Sequence, residues 1–311
     1  GKAIEIKTID FLKHRMVWLA LSFVIILAGA GGAIYHHVTE GKALNYGIEF
    51  AGGTSTTADF GKTYSIEEIE KEIVPYVSEI TGDAAVQATT VDESTQIVLK
   101  TRTLDLEERE AMNAMLVEQF GVEESTIYSQ SISSTISNEM RDSAIMAVIV
   151  ACIFMLIYIR LRFKDIRFAT SAIITLLHDV LIVLTSYALI RITVGNTLIA
   201  VVLTILGYSI NDTIVVFDRI RENMHGMDIQ DPKKLYTIAN ESLTQTLTRS
   251  INTSLTTIIV VTILFILGVP AIREFSLPML VGMICGSYSS IFIATALWYE
   301  MKTRIKSKNV K

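Results

Sequence analysis

One carboxylate, Asp212, lies in a segment that is otherwise almost wholly apolar. Residues 196–207 upstream of it are nearly all hydrophobic, and residues 214–217 continue the apolar run. An ionised side chain at the centre of a bilayer costs roughly 2.5–3.5 kcal/mol on insertion scales, so such residues usually serve a function. Loss of water disfavours the charged carboxylate, which indicates a proton-binding group. The alternative is a structural hydrogen-bonding residue that never titrates.

The residues around this carboxylate indicate a helix face that meets another helix. Thr204 and Tyr208 precede Asp212 at i, i+4 spacing, and Gly207 and Asn211 flank the same face. Small residues let a neighbouring helix approach closely. The carboxylate lies about five residues, or roughly 8 Å, from the predicted cytoplasmic end of its helix.

A basic residue, Arg249, precedes another apolar run. Gln245, Asn252 and Thr256 join it in one polar stripe at i, i+4, i+7 and i+11 spacing. Such stripes face the interior of a helix bundle or a wet cavity. If Arg249 faces Asp212, the two titrate as a coupled pair, and a helix movement that separates them lets the carboxylate take up a proton. A snorkelling anchor at the membrane interface is the alternative for Arg249.

A third polar site, His178 with Asp179, lies near the middle of another apolar run. A hydrogen-bonded pair that packs between helices is favoured over a second proton site. The signal for a hydrolase is weak because no nucleophile accompanies the pair, and neither G-x-S-x-G nor H-E-x-x-H occurs. The two cysteines, Cys152 and Cys285, lie in apolar runs without metal-ligand spacing. We therefore expect no enzyme, no cofactor, no metal and no disulfide.

The elements that position these residues are predicted to be membrane helices. Half of the residues are hydrophobic and the mean hydropathy is +0.45. A bilayer core of ~30 Å is crossed by about 20 apolar residues, and most of the runs found lack the polar stripe of a soluble helix. The first run exceeds a signal-peptide core and lacks a clear cleavage site, so we expect a retained anchor. The six runs are residues 16–35, 142–159, 168–190, 195–217, 251–269 and 276–299.

Basic residues predict the orientation. They concentrate in the N-terminal segment, in the loops after the second and fourth runs and in the C-terminal tail, whereas the opposite short loops carry only Arg191 and Arg273. Short basic flanks stay in the cytoplasm, so both termini are expected there. The insert at residues 36–139 then lies outside, with 19 acidic and six basic residues and a net charge of −13. That charge argues against a nucleic-acid partner.

This insert has the pattern of a folded domain. Ser65 and Glu68 form a predicted capping box, and Gly121 is a predicted C-cap. The Gly52-Gly53 pair predicts a tight turn and no phosphate loop, since no Lys-Ser/Thr follows. The order β-α-β-β-α-β after an initial ribbon predicts a ferredoxin-like α+β domain inserted into a six-helix membrane protein. The predicted segments are a strand, turn and strand over 45–60, helices at 65–80 and 104–119, strands at 84–91, 95–101 and 125–133, and a turn at 92–94.

Several stretches together resemble the SecD/SecF family of bacterial protein-export membrane proteins, within the resistance-nodulation-division superfamily. They are IDFLKHR, NYGIEFAGGT, LLHDV, GYSINDTIVVFDRIREN and SLTQTLTRSINTS. The resemblance extends from residue 9 to about residue 298. It implies six transmembrane helices with one outer domain between the first two, and it ties Asp212 and Arg249 to proton use. The family motif of the outer domain comprises Gly47, Gly52, Gly53 and Thr54.

The resemblance also implies a function and partners. Members act as accessory subunits of the Sec preprotein translocase: they pair with SecD, associate with the SecYEG channel and use the proton-motive force late in export. Preproteins, YajC and the lipid bilayer are the other implied partners. The chain carries no SecD half, so we expect SecD as a separate chain or this chain as a piece of a fusion; Gly1 in place of Met fits a trimmed chain.

The expected organisation is a multi-pass protein of the bacterial inner membrane. Its parts are a cytoplasmic segment at 1–15, a transmembrane helix at 16–35, the extracytoplasmic domain at 36–139, a five-helix remainder at 140–299 and a basic cytoplasmic tail at 300–311. A proton-driven exporter of small molecules or lipids and a non-energised scaffold are the alternatives. Supporting polar residues are Asn211, Asp179, His178, Tyr208, Gln245 and Asn252, and the predicted packing glycines are Gly207, Gly282 and Gly286.

Overall fold

The computed structural model describes residues 7–41, 43–82, 86–91, 94–268 and 270–304. The chain divides into two compact units: a helical unit of residues 1–45, 147–193 and 197–311, and an α+β unit of residues 46–146 and 194–196. Asp92 and Glu93 of the predicted turn, the start of the N-terminal segment and most of the basic tail lie outside the described residues.

The elements follow one another along the chain with short connections. In order they are α1 (Arg15–Glu40), α2 (Ile48–Ala51), β1 (Gly53–Asp59), α3 (Ile66–Glu68), α4 (Val74–Thr81), β2 (Gln87–Thr90), β3 (Gln96–Thr101), α5 (Leu106–Phe120), β4 (Tyr128–Ile132), α6 (Ser134–Arg162), α7 (Ile166–Ile190), α8 (Asn196–Asn223), α9 (Pro232–Leu267), α10 (Pro270–Phe292) and α11 (Ala294–Arg304).

Among the described residues, six helices are long and apolar enough to cross a membrane, which confirms the predicted count. They are α1, α6, α7, α8, α9 and the α10–α11 pair. Each runs further than its apolar stretch, because polar turns continue the helix beyond the hydrocarbon core. The clearest case is α9, whose apolar part was predicted at 251–269 but which begins at Pro232. Asp231 caps it by accepting a hydrogen bond from the backbone N–H of Lys233 at 3.1 Å.

The helical unit is built around α7. This helix packs against α1, α10 and α11, and α9 packs against α10. Aromatic side chains fill one end of the unit, where Phe168 stacks on Trp298 with ring centroids 5.1 Å apart. Phe217 from α8 packs against Phe168 at 5.0 Å. By contrast, α6 is almost wholly exposed along its apolar stretch within this chain.

The α+β unit has the predicted ferredoxin-like topology. Its antiparallel sheet has the order β2-β3-β1-β4, with one helical segment between β1 and β2 and another between β3 and β4. Thr54 lies opposite Thr101 on β3 and Ser131 on β4, which fixes the register. Both predicted caps form: Ser65 and Glu68 make a complete capping box, and Gly121 adopts the left-handed conformation.

The predicted strand before the glycine pair is wrong. Residues Ile48–Ala51 form a single helical turn, and only Tyr46 makes an isolated bridge, to Val194. The cause is local. The N–H of Gly52 donates to the carbonyl of Ile48 at 2.8 Å, so this carbonyl is used within the helical turn and not in hydrogen bonds to a neighbouring strand. A second departure is a π-helical turn at Ile69–Ile73 inside the predicted helix 65–80.

Gly53 is expected to be intolerant of a side chain. Its φ is +108°, and a Cβ at this position would overlap the carbonyl oxygen of Thr101. We expect Gly53→Ala to destabilise the α+β unit by about 1–3 kcal/mol more than Gly61→Ala, which adds the same methyl at φ +75° in open space. Hydrogen exchange of the β1 and β3 amides in the purified chain measures the difference. Equal exchange in the two variants would contradict this steric argument.

Candidate functional site

Asp212 is half-buried on α8 and lies on the wall of a small cavity between α8, α9 and α10. The cavity volume is about 20 Å³, which is enough for one water molecule. In the described part of the chain, Asp212 makes no ion pair and no hydrogen bond. Hydroxyl groups line the cavity and can relay protons; they belong to Tyr208, Ser209, Thr253, Ser254, Thr257 and Ser287.

Two charged groups lie within electrostatic range of Asp212: the guanidinium of Arg249 on α9 and the carboxyl of Asp179 on α7. No ion pair within 4.0 Å joins Asp212 to Arg249 in the part of the chain that is described. Arg249 is itself exposed. The two groups are therefore within electrostatic range of each other but not in direct contact.

The polar stripe of α9 lies on a surface that this chain leaves uncovered. Gln245, Arg249, Asn252 and Thr256 are all exposed, and Gln245 accepts a hydrogen bond from the amide of Asn223 at 3.0 Å. Tyr208 and Asn211 of α8 are exposed as well. Polar and charged groups at membrane depth face protein or water and avoid lipid. This face is therefore expected to meet water or another protein chain and not lipid.

Asp179 is the centre of a buried hydrogen-bonded cluster in the helical unit. The residue is fully buried. One carboxyl oxygen accepts from Ser289 of α10 at 2.9 Å and from Ser209 of α8. The other lies 2.9 Å from Nδ1 of His178 and 3.3 Å from Sγ of Cys285. One carboxyl thus joins α7 to α8 and α10, and Ser209 connects it to the cavity that holds Asp212.

Sequence reasoning did not find Ser209, Ser289 or Cys285. Nothing in the sequence distinguishes these two serines as members of a polar cluster, because hydroxyl-bearing residues are common in membrane helices. Cys285 was noted, but ligand spacing was sought along the chain, whereas Cys285 is 106 positions from Asp179 and meets it only through the packing of α10 on α7.

The predicted packing glycines divide into two kinds. A Cβ at Gly282 would overlap Ile205 of α8, and one at Gly286 would lie 3.5 Å from Ser209. A Cβ at Gly207 meets nothing within 4 Å. The first two glycines thus allow α10 to pack closely against α8, and the third lies in a space that no described residue fills within 4 Å.

We expect Gly282→Leu to lower the stability of the helical unit by about 1–3 kcal/mol, since Ile205 is buried and the added side chain overpacks the contact. Gly207→Leu is the matched control, with the same change on a neighbouring helix in open space. Thermal unfolding of the detergent-purified chain gives the comparison. If both variants unfold like wild type, the α8–α10 contact is not tight.

The glycine-rich motif of the α+β unit shapes its backbone. The N–H of Gly47 donates to the carbonyl of Val194 at 2.8 Å. The hydroxyl of Thr54 accepts from the N–H of Leu104 at 2.9 Å and lies 2.7 Å from the hydroxyl of Ser131. These contacts join β1 to its neighbours within the unit.

Comparisons with known proteins agree with this architecture. The family described as "Protein export membrane protein SecD/SecF, C-terminal" matches residues 112–304. Protein translocase subunit SecF of Petrotoga mobilis is 35% identical over 307 residues, which cover 96% of this chain and 97% of the relative. Protein translocase subunit SecDF of Bacillus subtilis is 34% identical over 303 residues, which cover 96% of this chain and 39% of that protein.

A solved structure gives the same result in three dimensions. The crystal structure of SecDF, described as a translocon-associated membrane protein, from Thermus thermophilus matches with a TM-score of 0.83 at 30% sequence identity. The match covers 98% of this chain and 40% of the other, so this chain spans about two fifths of the length of the solved protein.

Proposed function

This chain belongs to the SecD/SecF family of protein export membrane proteins, and from that premise we propose that it is an accessory subunit of the Sec preprotein translocase. Together with a SecD partner, it uses the proton-motive force to promote late steps of export. The observation that carries the proposal is the half-buried carboxyl of Asp212 at a hydroxyl-lined cavity, on a polar face that this chain leaves uncovered.

Proton uptake by the Asp212 carboxyl changes which arrangement of α8 and α9 is favoured. As an anion it attracts Arg249 across the space between α8 and α9, and once protonated it does not. The two states therefore favour different arrangements of these helices, which is a population shift. One charge crossing 100 mV supplies ~2.3 kcal/mol, enough to bias a two-state element modestly. Larger movements need more than one proton or help from the partner.

SecD is the proposed covering partner of the exposed polar face. The relatives from Bacillus subtilis and Thermus thermophilus are named SecDF, and this chain corresponds to about two fifths of each. Helices of a SecD half would shield Arg249 and Asn211 from lipid and complete the path to Asp212. The description of the Thermus protein as translocon-associated supports contact with the SecYEG channel, and YajC is a further proposed partner.

The proposed setting is the bacterial cytoplasmic membrane, with both termini in the cytoplasm and the α+β unit outside. The translocase-subunit names of the relatives are consistent with a role without catalysis. We propose that the proton gradient is the energy source and that no cofactor is used. Clients are preproteins in transit, which the acidic outer insert meets after they leave the channel.

The test uses inverted membrane vesicles that contain SecD and the channel, with or without this chain. Preprotein translocation is started with ATP, the ATP is then exhausted, and completion is followed with and without a proton gradient. We expect the gradient to speed completion only where the chain is present. A gradient effect of equal size in vesicles that lack the chain would refute an energy-coupling role and leave a scaffold.

A further inference from the structure

We propose that His178, Asp179 and Cys285 form a binding site for a thiophilic divalent cation, of which Zn²⁺ is the best match, inside the helical unit. The three residues offer an imidazole nitrogen, a carboxylate oxygen and a thiol sulfur that lie within 4.8 Å of one another. Two come from α7 and one from α10. The site is distinct from the Asp212 cavity and does not depend on the proposed function.

The separations allow one ion to reach all three ligand atoms. Nδ1 of His178 lies 2.9 Å from Oδ1 of Asp179, and Sγ of Cys285 lies 3.3 Å from that oxygen. The widest separation, from Sγ to Nδ1, is 4.0 Å. Zinc bonds of ~2.1 Å to nitrogen and ~2.3 Å to sulfur together span about 4.4 Å, so an ion can bind both without moving a helix. A water molecule can complete a four-coordinate site.

The ligand set selects the class of cation. Mg²⁺ and Ca²⁺ prefer oxygen ligands, and this site offers one carboxylate beside a sulfur and a nitrogen. Sulfur and imidazole together suit zinc and other borderline or soft metals. The charge of the site fits a divalent ion, because a thiolate and a carboxylate with a neutral imidazole balance a charge of +2. Such a neutral complex suits an interior where an unpaired charge is costly.

The surroundings hold the carboxylate in place for this role. Oδ2 of Asp179 accepts from Ser209 and from Ser289, which leaves Oδ1 directed to His178 and Cys285. Partners of this kind, which orient a ligand through its second atom, are typical of metal sites. In the described structure Nε2 of His178 is buried without a hydrogen-bond partner, so the ring is tied only through the nitrogen at the site.

An ion bound here would join α7 to α10 by metal bonds. Binding would release the thiol proton of Cys285 to solvent, so affinity should fall as pH falls. It would also stiffen the part of the bundle that touches the Asp212 cavity through Ser209.

The test titrates the purified, chelator-treated chain in detergent with Co²⁺, a spectroscopic substitute for Zn²⁺. We expect a thiolate-to-Co²⁺ charge-transfer band that saturates at one ion per chain and is removed by Zn²⁺. Cys152→Ser is the matched control, because Cys152 lies on α6 away from the cluster, and it should keep the band. Cys285→Ser should lose the band, and His178→Gln should weaken binding at least about tenfold, as loss of a ligand does.

The unfolding midpoint is a second readout, which distinguishes a variant that has lost the metal site from one that is misfolded. Cys285→Ser keeps a hydroxyl that can donate to Asp179, so the variant is expected to fold and to unfold near the wild-type midpoint without metal. Zn²⁺ should raise the unfolding midpoint of wild type and of Cys152→Ser, and should leave that of Cys285→Ser unchanged. Absence of the band in folded wild type, or its persistence in Cys285→Ser, would overturn the proposal.

Discussion

Asp212→Asn is expected to abolish the part of preprotein translocation that depends on the proton gradient, while the chain still folds and assembles. Asparagine has nearly the same size but cannot release a proton. Asp212 is half-buried, and no ion pair or hydrogen bond is lost, since it makes none among the residues the structure describes. We expect the gradient-dependent gain in translocation to fall at least about tenfold, the scale set by removing a proton-transfer group.

The measurement is completion of translocation in inverted vesicles after ATP is exhausted. Asp218→Asn is the matched control: the same substitution lies six positions further along α8, where Asp218 pairs with Arg162 at 2.5 Å and Arg221 at 3.1 Å. A partly exposed pair of this kind contributes little, so the control should keep the gradient effect. If Asp212→Asn also keeps the full effect, Asp212 is a packing residue and the scaffold interpretation takes its place.

Asp179→Ala is expected to lower the stability of the helical unit by about 2–4 kcal/mol. The change removes the shared acceptor of Ser209, Ser289, His178 and Cys285 and leaves their polar groups buried. An unsatisfied buried group costs about 1–3 kcal/mol, although hydrogen bonds between membrane helices average only ~0.6 kcal/mol. For four groups the membrane average gives about 2.4 kcal/mol, and the expected loss is close to this lower value.

Unfolding of the detergent-purified chain, with chelator present so that no metal contributes, measures this loss. Asp142→Ala is the matched control, because Asp142 is exposed on α6 and makes no hydrogen bond or ion pair with the described residues. Asp179→Asn should fall between wild type and Asp179→Ala, since an amide keeps part of the acceptor role. Equal stability of the two alanine variants would show that the buried cluster contributes no net free energy.

Much of the fold follows from patterns along the chain. Six membrane helices are evident because each needs about 20 apolar residues, and that requirement is local. The ferredoxin-like order of the α+β unit is evident because turn residues and capping boxes such as Ser65 with Glu68 mark each element. The strand predicted before Gly52 failed, because in a stretch as short as Ile48–Ala51 a helical turn with its own hydrogen bonds competes equally well with a strand.

For the candidate site, too, some features were predictable from the sequence and others were decided by packing. By itself the sequence determined that Asp212, Arg249, His178 and Asp179 lie among membrane helices, because a charged residue is conspicuous in an apolar run. Only the tertiary structure decided what each one meets. Gly207 and Gly282 have the same side chain, yet one faces open space and the other presses on Ile205.

Cys285 illustrates why the contacts of a residue could not be predicted from the sequence. It is an ordinary apolar-run cysteine until the packing of α10 on α7 brings its sulfur 3.3 Å from Asp179. Contacts between distant segments depend on how helices rotate and cross, and helix periodicity fixes only which residues share a face. The chemistry of each residue was therefore readable from the sequence, whereas the groups it acts with were set by packing.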